Sequence, residues 1–223
     1  MSFNVAIDGP AGAGKSTVAK SVAALKNFIY VDTGAMYRAM ALYFLRQGID
    51  KTDENAINAV LDKVEITIRY ENGAQQVILN GENVSGLIRT EEVGNMASAT
   101  SVYKKVREKL VELQKDLAKK ADVIMDGRDI GTCVLPDADV KIFLSASPEV
   151  RARRRWLELQ EKGTPDTYEA VLADLIARDE RDSNRAIAPL RPADDAVLLD
   201  TSGMTLQESI DAILKLIRKK VTV

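Results

Sequence analysis

Residues 9–16 form a glycine-rich run that ends in a lysine and a serine, Gly-Pro-Ala-Gly-Ala-Gly-Lys-Ser. This spacing is typical of a loop that binds nucleotide phosphates, because glycines let backbone N–H groups converge on the anion. Lys15 can reach the β- and γ-phosphates, and the Ser16 hydroxyl can bind Mg²⁺. An apolar run precedes the loop and residues 17–25 have helical spacing, which is the context that the motif requires. The sequence therefore predicts a nucleoside triphosphate site.

Arginines outside this loop indicate what receives the phosphate. A kinase that acts on an alcohol needs a carboxylate base, whereas the attacking oxygen of a phosphate monoester is already ionised. A kinase of the second kind needs arginines that hold two polyanions together and neutralise the transferring group. Thr33 and Arg38 open the helix predicted after the second strand, and Arg128 follows the third strand. Because ligands of parallel sheets bind at the carboxyl ends of the strands, we expect these side chains to contact an acceptor phosphate.

Two further segments are rich in arginine. Arg178, Asp182 and Arg185 have the spacing of one helical face, which is also typical of a solvated stripe of ion pairs. The other segment precedes Gly163-Thr164-Pro165, between charged helices predicted at residues 148–162 and 167–184. This segment suits a mobile lid over ATP, and an exposed helical hairpin fits the local pattern equally well. Its arginines are Arg151, Arg153, Arg154 and Arg155.

The elements that must position these residues alternate between strand and helix. Short apolar runs at residues 3–7, 28–31, 122–125, 140–144 and 196–199 predict five strands, with helical spacing between them. Such alternation predicts an α/β fold in which a five-stranded parallel sheet has helices on both faces. A long amphipathic helix is expected at residues 101–120, with Val102, Val106 and Leu110 facing inward.

The alternation is interrupted by a segment that predicts a small antiparallel sheet. Residues 64–70 and 76–79 alternate between apolar and polar side chains, and Glu71-Asn72-Gly73 between them is a hairpin signal. We interpret the chain as one P-loop domain that carries insertions. Its core would comprise residues 1–38, 97–150 and 186–223, its β-bearing insertion residues 39–96, and its lid residues 151–168.

Composition excludes several classes of function. The 223-residue chain has no histidine and a single cysteine, so His-dependent triads, His-ligated metal sites and intrachain disulfides are excluded. The formal net charge is −2 and aromatic residues are 5%, which argues against a nucleic-acid surface. No segment predicts a membrane span and no signal segment precedes Asp8. We expect a cytoplasmic protein that acts on small molecules and, with no long unpaired heptad stripe, a monomer.

Several motifs in this order resemble those of bacterial cytidylate kinases, in the nucleoside monophosphate kinase branch of P-loop proteins. The resemblance runs almost from end to end. Beyond the phosphate loop, the motifs that carry it are Asp-Thr-Gly-Ala-Met-Tyr-Arg at 32–38, Ile-Arg-Thr-Glu-Glu-Val at 88–93, Asp-Gly-Arg-Asp-Ile-Gly-Thr at 126–132, and the arginine-rich run at 178–190.

The resemblance implies transfer of the γ-phosphoryl group of ATP to CMP, and to dCMP, with Mg²⁺. By position, Thr33, Arg38, Arg128 and Arg185 would hold the CMP phosphate; Ser98, Arg107 and Asp129 would bind the cytosine; Arg178 and Asp182 would contact the sugar; and Tyr37 would line the pocket. The nucleotide loop would comprise Gly9, Pro10, Ala11, Gly12, Ala13, Gly14, Lys15, Ser16 and Thr17, with Ser16 on the metal. The catalytic cations would be Lys15, Arg38, Arg128, Arg185 and the lid residue Arg154.

The chemistry of the base is consistent with this assignment. The Asp129 carboxylate can accept a hydrogen bond from the cytosine amino group, and uracil offers a carbonyl there instead. An opposed buried hydrogen bond costs about 1–3 kcal/mol, so CMP is expected to be preferred over UMP. Two alternatives stay open at this point: a kinase for another acceptor, such as UMP, AMP or a shikimate-like acid, and a P-loop regulator that binds nucleotide without transferring phosphate.

Overall fold

A computed structural model of the chain describes residues 2–161 and 163–221. Lys162, the last residue of the helix predicted at 148–162, lies outside the described residues. The chain forms two compact units, which are considered separately below. The phosphate-loop unit comprises Met1–Tyr30 and Ala118–Val223, and the second unit comprises Val31–Leu117. No described helix is both long and apolar enough to cross a membrane.

The described elements are numbered in chain order. The strands are β1 (Asn4–Asp8), β2 (Ile29–Asp32), β3 (Ile66–Glu71), β4 (Ala74–Leu79), β5 (Glu82–Asn83), β6 (Val123–Gly127), β7 (Val140–Ser145) and β8 (Val197–Asp200). The α-helices are α1 (Lys15–Lys26), α2 (Thr33–Arg46), α3 (Glu54–Val60), α4 (Glu91–Thr100), α5 (Lys104–Ala118), α6 (Pro148–Glu161), α7 (Tyr168–Asn184) and α8 (Leu206–Val221). A 3₁₀ turn (Leu61–Lys63) and a π-helical turn (Ile130–Val134) complete the described set.

The predicted five-stranded parallel sheet is confirmed, with the strand order β2-β6-β1-β7-β8. In the central strand β1, Val5 pairs with Ile124 of β6 on one side and with Val140 of β7 on the other. Side chains on both faces of the sheet are buried, Ile7 on one and Ala6 on the other. Burial on both faces is what a parallel sheet covered by helices requires, and it explains why its strands read as continuous apolar runs.

One face of this sheet packs against α1 and α8 in a single apolar core. Val18 and Val22 of α1 and Ile213 and Ile217 of α8 contribute their side chains, together with Ile142 of β7. The two residues of each helix are four positions apart, so each helix buries one stripe against the strands. This packing fixes the amino end of α1, and with it the loop between β1 and α1.

The helical hairpin of α6 and α7 has its own small core. Ala152 of α6 packs with Val171 and Leu175 of α7, and the loop residue Ala11 belongs to the same buried cluster. Trp156 lies at the edge of this cluster and its indole N–H donates to the backbone oxygen of Asp166. The hairpin is therefore packed directly against the phosphate loop.

The second unit contains the predicted antiparallel sheet, with the order β3-β4-β5. The hairpin between β3 and β4 turns at Asn72-Gly73, and the one between β4 and β5 turns at Asn80-Gly81. All four turn residues have positive φ, as a tight two-residue hairpin requires. Gln75 of β4 exchanges two hydrogen bonds with the backbone of Asp32, which ties this sheet to the start of α2.

The long helix predicted at residues 101–120 begins later than expected. Thr90 caps α4 by accepting a hydrogen bond from the backbone N–H of Val93, and α4 ends at Thr100. The hydroxyl of Ser101 donates back to the oxygen of Ser98, a local bond that competes with helix continuation. Val102 is therefore exposed in the turn before α5, whereas Val106 and Leu110 are buried as expected.

The first glycine of the phosphate loop permits a close backbone approach, which generates a stability prediction. Gly9 has φ of 149°, and a Cβ atom there would lie 2.0 Å from the backbone oxygen of Leu144 in β7. We expect Gly9→Ala to lower the free energy of unfolding by more than about 2 kcal/mol in urea denaturation, because neither backbone segment can give way. Gly203→Ala is the control, since no atom lies within 4 Å of the added Cβ. Equal stability of the two variants would contradict the prediction.

Candidate functional site

The phosphate loop ends at the amino end of α1, where its lysine is buried. Gly12 and Gly14 have φ of 72° and 85°, which turns the backbone around the loop and caps the helix. Lys15 is only 6% exposed, and its Nζ donates a 2.7 Å hydrogen bond to the backbone oxygen of Pro10. The loop therefore holds its cation folded back onto its own backbone, at the anion-binding end of a helix.

Burial of Lys15 weakens its hold on a proton. Desolvation, followed by the neighbouring positive charge of Arg128, lowers the pKa of Lys15 to about 7. Asp126 and Asp8 act in the opposite direction, since their carboxylates favour the ammonium form. Any additional negative charge that enters the loop would therefore stabilise the ammonium form of Lys15.

The hydroxyl next to this lysine is held by a buried carboxylate. Ser16 Oγ donates to Asp126 Oδ2 at 2.7 Å, and the hydroxyl of Tyr30 donates to Asp126 Oδ1 at 2.9 Å. Hydroxyl and carboxylate oxygens are the donor types that Mg²⁺ prefers. The described residues contain no group of three potential metal-binding His, Cys, Asp or Glu side chains. Ser16 and Asp126 therefore fit a magnesium ion that takes most of its ligands from phosphate and water.

A second buried carboxylate organises the segment after β6. Asp8 accepts hydrogen bonds from the backbone N–H groups of Ile130 and Gly131, at 2.8 and 2.7 Å. Desolvation raises the pKa of Asp8 to about 6, although both backbone bonds favour its ionised form. Asp8 therefore fixes the turn that immediately follows Arg128 and Asp129.

The predicted arginines of this unit converge on two acidic side chains. Arg128 Nε donates to Asp182 Oδ2 at 3.0 Å, and Arg185 forms an ion pair with Asp129 at 3.3 Å. Burial raises the pKa of Asp182, but the charges of Arg128, Arg178 and Arg185 outweigh it and leave the pKa of this carboxyl below its usual value. Arg128 and Arg185 are thus each paired with a carboxylate, and the charges of Arg128, Arg178 and Arg185 all act on Asp182, an arrangement suited to binding a polyanion.

Arg185 reaches this cluster by a route that helical spacing does not predict. The helix α7 ends at Asn184, and Arg185 has an extended conformation, so the expected i, i+4, i+7 face stops one residue short. The chain then folds back, with the guanidinium of Arg185 donating to the oxygen of Ala188 and the N–H of Leu190 donating to the oxygen of Asp182. Arg178 and Asp182 do lie on α7, one turn apart.

The four arginines of α6 have different surroundings. Arg153 and Arg155 are exposed, and Arg151 is buried. Arg154 donates to the backbone oxygen of Thr201 at 2.8 Å. Its Nη1 atom lies 4.0 Å from the position that a Cβ atom would occupy at Gly14. Arg154 is therefore next to the loop glycine that precedes Lys15.

In the second unit, the start of α2 is held from several directions. Asp32 caps the helix by accepting from the N–H of Ala35, and it forms a 2.7 Å ion pair with Arg89. The following residue, Thr33, is buried. Arg38 donates to the backbone oxygen of Ile88 at 3.4 Å, and the absence of a side chain at Gly94 leaves room for its guanidinium.

The remaining predicted residues of the second unit include a stacked pair and an unsatisfied hydroxyl. The buried guanidinium of Arg107 lies over the ring of Tyr37, with 5.9 Å between the guanidinium carbon and the ring centroid. Arg107 also donates to the oxygen of Ser101 at 3.4 Å. The Oγ atom of Ser98 is buried and makes no hydrogen bond to any described residue. An unsatisfied buried hydroxyl is costly, and a ligand with a polar edge would offset that cost.

Sequence analysis missed the residues that position the predicted ones. Asp8 is the last residue of β1, and Asp126 lies next to the last residue of β6. Their positions at strand ends were the signal that could have identified them. Nothing local distinguishes Arg151 from its neighbours. Among the predicted residues, the phosphate-loop unit contains Lys15, Ser16, Arg128, Arg178 and Arg185.

Comparison with known proteins identifies relatives that are similar over nearly the whole chain. The chain is 50% identical over 217 residues to a cytidylate kinase of Shouchella clausii, covering 97% of this chain and 96% of the relative. It is 52% identical over 219 residues to a cytidylate kinase of Desulfitobacterium hafniense, covering 98% and 94%. The structure of an uncharacterized protein from Eubacterium ventriosum has a TM-score of 0.54 at 12% identity, covering 97% and 98%, which concerns the fold alone.

The family model described as cytidylate kinase matches residues 5–219. That range contains the phosphate loop, the antiparallel sheet of the second unit and both arginine-bearing motifs of the phosphate-loop unit. With these motifs in the predicted order and relatives at half identity over nearly the whole length, the chain belongs to the cytidylate kinase family.

Proposed function

We propose that this protein transfers the γ-phosphoryl group of ATP to CMP and dCMP, giving ADP and the corresponding diphosphate. The observation that carries the proposal is that Arg128, Arg178 and Arg185 surround Asp182, and that Arg128 and Arg178 also act on Lys15 of the phosphate loop. A triphosphatase needs one triphosphate site, whereas this number of cations suits two phosphate-bearing substrates. Membership of the cytidylate kinase family supports CMP as the acceptor and disfavours both a different acceptor and a non-catalytic regulator.

The chemistry of this transfer asks the protein for positioning and charge neutralisation. The CMP phosphate oxygen is ionised at neutral pH, so the attack needs no general base. Lys15 and the arginines neutralise charge on the equatorial oxygens of the transferring group as the bond to ADP breaks and the bond to CMP forms. Magnesium, when bound, neutralises the charge of the donor phosphates, and Ser16 is the residue that we assign to it.

We assign the binding of CMP to the residues that the sequence motifs indicate. We assign its phosphate to Thr33, Arg38, Arg128 and Arg185, its sugar to Arg178 and Asp182, and its base to Ser98, Arg107 and Asp129, with Tyr37 lining the pocket. The unsatisfied Oγ of Ser98 and the guanidinium of Arg107, held over Tyr37, support the assignment of the base. Both side chains can donate to the O2 and N3 acceptors of cytosine, while Asp129 can accept from its amino group.

The lid remains part of the proposal. Arg154 is the arginine of α6 that we assign to the ATP phosphates, and its position beside Gly14 supports that choice over its exposed neighbours. Closure of the predicted lid, residues 151–168, would exclude water and suppress hydrolysis of ATP, with the buried Arg151 at its fixed end. The predicted division into core, insertion and lid, a monomeric state and a cytoplasmic location stay predictions.

The reaction can be tested directly by ³¹P NMR of the enzyme with Mg-ATP and CMP. We expect the resonances of CDP and ADP to grow in equal amounts while those of CMP and ATP decline. Formation of inorganic phosphate in place of CDP would show an ATPase and overturn the proposal. Absence of any turnover would favour a nucleotide-binding regulator.

Removal of the loop cation tests the mechanism. Lys15→Met should lower kcat by at least about 100-fold, because charge that develops on the transferring group loses its closest amine. The nucleotide-free variant should melt no lower than the wild type, since it no longer buries a desolvated ammonium group. Lys26→Met, at the other end of α1, is the control and should retain wild-type turnover. Full activity of Lys15→Met would contradict the mechanism.

The depressed pKa of Lys15 predicts that ATP affinity falls as the pH rises. In the nucleotide-free enzyme Lys15 loses its proton above about pH 7, whereas bound phosphate favours the charged form. The Kd of Mg-ATP, measured by calorimetry, should therefore rise between pH 7 and 9, by up to tenfold per pH unit. Asp8, with its pKa of about 6, is ionised throughout this range. A flat profile in the wild type, or an equal slope in Lys15→Met, would contradict this prediction.

The unsatisfied hydroxyl of Ser98 provides a test of the base site. Ser98→Ala should raise KM for CMP by about tenfold, since a lost hydrogen bond to a buried polar edge costs about 1–1.5 kcal/mol. The KM for ATP should stay within twofold of the wild type. Asn95→Ala, at an exposed position of the same helix, is the control. An unchanged KM for CMP in the Ser98 variant would remove Ser98 from the site.

A further inference from the structure

Arg151 makes more buried contacts than a lid residue requires. Its side chain is 3% exposed and all three guanidinium nitrogens are engaged. Nε donates to the backbone oxygen of Ala146 at 2.8 Å and Nη1 donates to that of Ala11 at 3.0 Å. Nη2 forms a 2.6 Å ion pair with Asp179 of α7. One side chain thus connects the end of β7, the phosphate loop and α7.

The phosphate loop also rests on the backbone of Arg151. A Cβ atom at Gly12 would lie 3.3 Å from Cβ of Arg151 and 3.5 Å from its backbone oxygen. The adjacent Ala11 is buried among Ala152 of α6 and apolar residues of α7. Two consecutive loop residues are therefore fitted against α6 at the position of Arg151. A shift of this arginine would move the loop backbone whose N–H groups face the nucleotide phosphates.

At its other end the contact reaches the helix that carries the acceptor-side cations. Asp179 directly follows Arg178 and precedes Asp182 by less than one turn. Its Oδ1 atom is buried with no hydrogen-bond partner among the described residues, so the described contact that orients this carboxylate is the one from Oδ2 to Arg151. The ion pair therefore sets the position of α7 relative to the loop.

We propose that Arg151 is a positioning residue that holds the Ala11–Gly12 backbone of the phosphate loop in register with Arg178 and Asp182 of α7. The inference rests on the proposed function, because it concerns the alignment of donor and acceptor phosphates. In-line transfer loses rate steeply when reacting groups are misplaced by about 1 Å, so a shared anchor for both phosphate-binding elements is effective. Only a guanidinium supplies three donors in the fixed fork that these three acceptors require.

The test separates positioning from simple stabilisation. Arg151→Lys keeps the charge but cannot reach all three acceptors, and Asp179→Asn keeps the shape of the side chain and the bond from Arg151 to the loop. Arg155→Met is the matched control, because Arg155 is exposed on the same helix and pairs with Glu158 at the surface. Each variant is assayed well below its melting temperature, with KM for ATP, kcat, and the Kd of CMP without ATP.

We expect Arg151→Lys to raise KM for ATP by about tenfold or more and to lower kcat, with the Kd of CMP within twofold. Asp179→Asn should lower kcat by about tenfold while KM for ATP changes less than threefold, since the loop contact remains. Arg151→Met combined with Asp179→Asn should be no slower than Arg151→Met alone, because both changes break one ion pair.

Lower melting temperatures with wild-type KM and kcat in Arg151→Lys and Asp179→Asn would reduce the contact to a structural tie and overturn the inference. If Arg151→Lys does not fold, the kcat of the shape-conserving variant Asp179→Asn decides whether the inference holds. Failure of the proposed function has a different signature, since the wild-type enzyme would then form no CDP. A wild type that forms CDP with unaffected variants would leave the function standing and remove Arg151 from the positioning role.

Discussion

The structure of the phosphate-loop unit depends on bringing several buried cations close together. Two like charges 4 Å apart repel by about 4 kcal/mol at an effective dielectric of about 20, and burial removes the water that would screen them. Three of the arginines are matched by a carboxylate: Arg128 by Asp182, Arg185 by Asp129 and Arg151 by Asp179. Desolvation is the main cause of the lowered pKa of Lys15 and the charge of Arg128 adds to it, so the carboxylates of Asp126 and Asp8 compensate this lysine only in part.

The same carboxylates also fix geometry. Asp8 binds the backbone after β6 and Asp126 orients Ser16, so the loop and the arginine motif are aligned before substrate binds. A carboxylate also fixes geometry in the second unit. Asp32 caps α2 and forms an ion pair with Arg89, and its backbone N–H donates a hydrogen bond to Gln75 of the antiparallel sheet. The insertion that interrupts the strand–helix alternation thus has a physical role, which is to hold the helix that begins at Thr33.

Prediction from sequence succeeded where the signal is local. The strand–loop–helix setting of residues 9–16, the five apolar strands and the hairpin at Asn72-Gly73 each depend on residues a few positions apart, and all three were confirmed. It was less accurate where long-range contacts decide the outcome. Arg185 lies beyond the end of α7, and the break before α5 follows from a side-chain bond of Ser101. Arg151 looks like its neighbours in sequence, and only the packing of α6 against the loop distinguishes it.

We propose that Lys15 and the arginines around it serve phosphoryl transfer from ATP to CMP. The most direct measurement is an ADP-release assay with Mg-ATP in which CMP, dCMP, UMP, AMP, GMP and dTMP are offered in parallel. We predict turnover with CMP and dCMP, and a kcat/KM for UMP that is lower by at least about tenfold. Uracil has a carbonyl oxygen where cytosine has its amino group, so this oxygen would face the carboxylate of Asp129 without a hydrogen bond. Equal turnover with UMP would contradict the base assignment, and ADP release with none of the six would contradict the acceptor altogether.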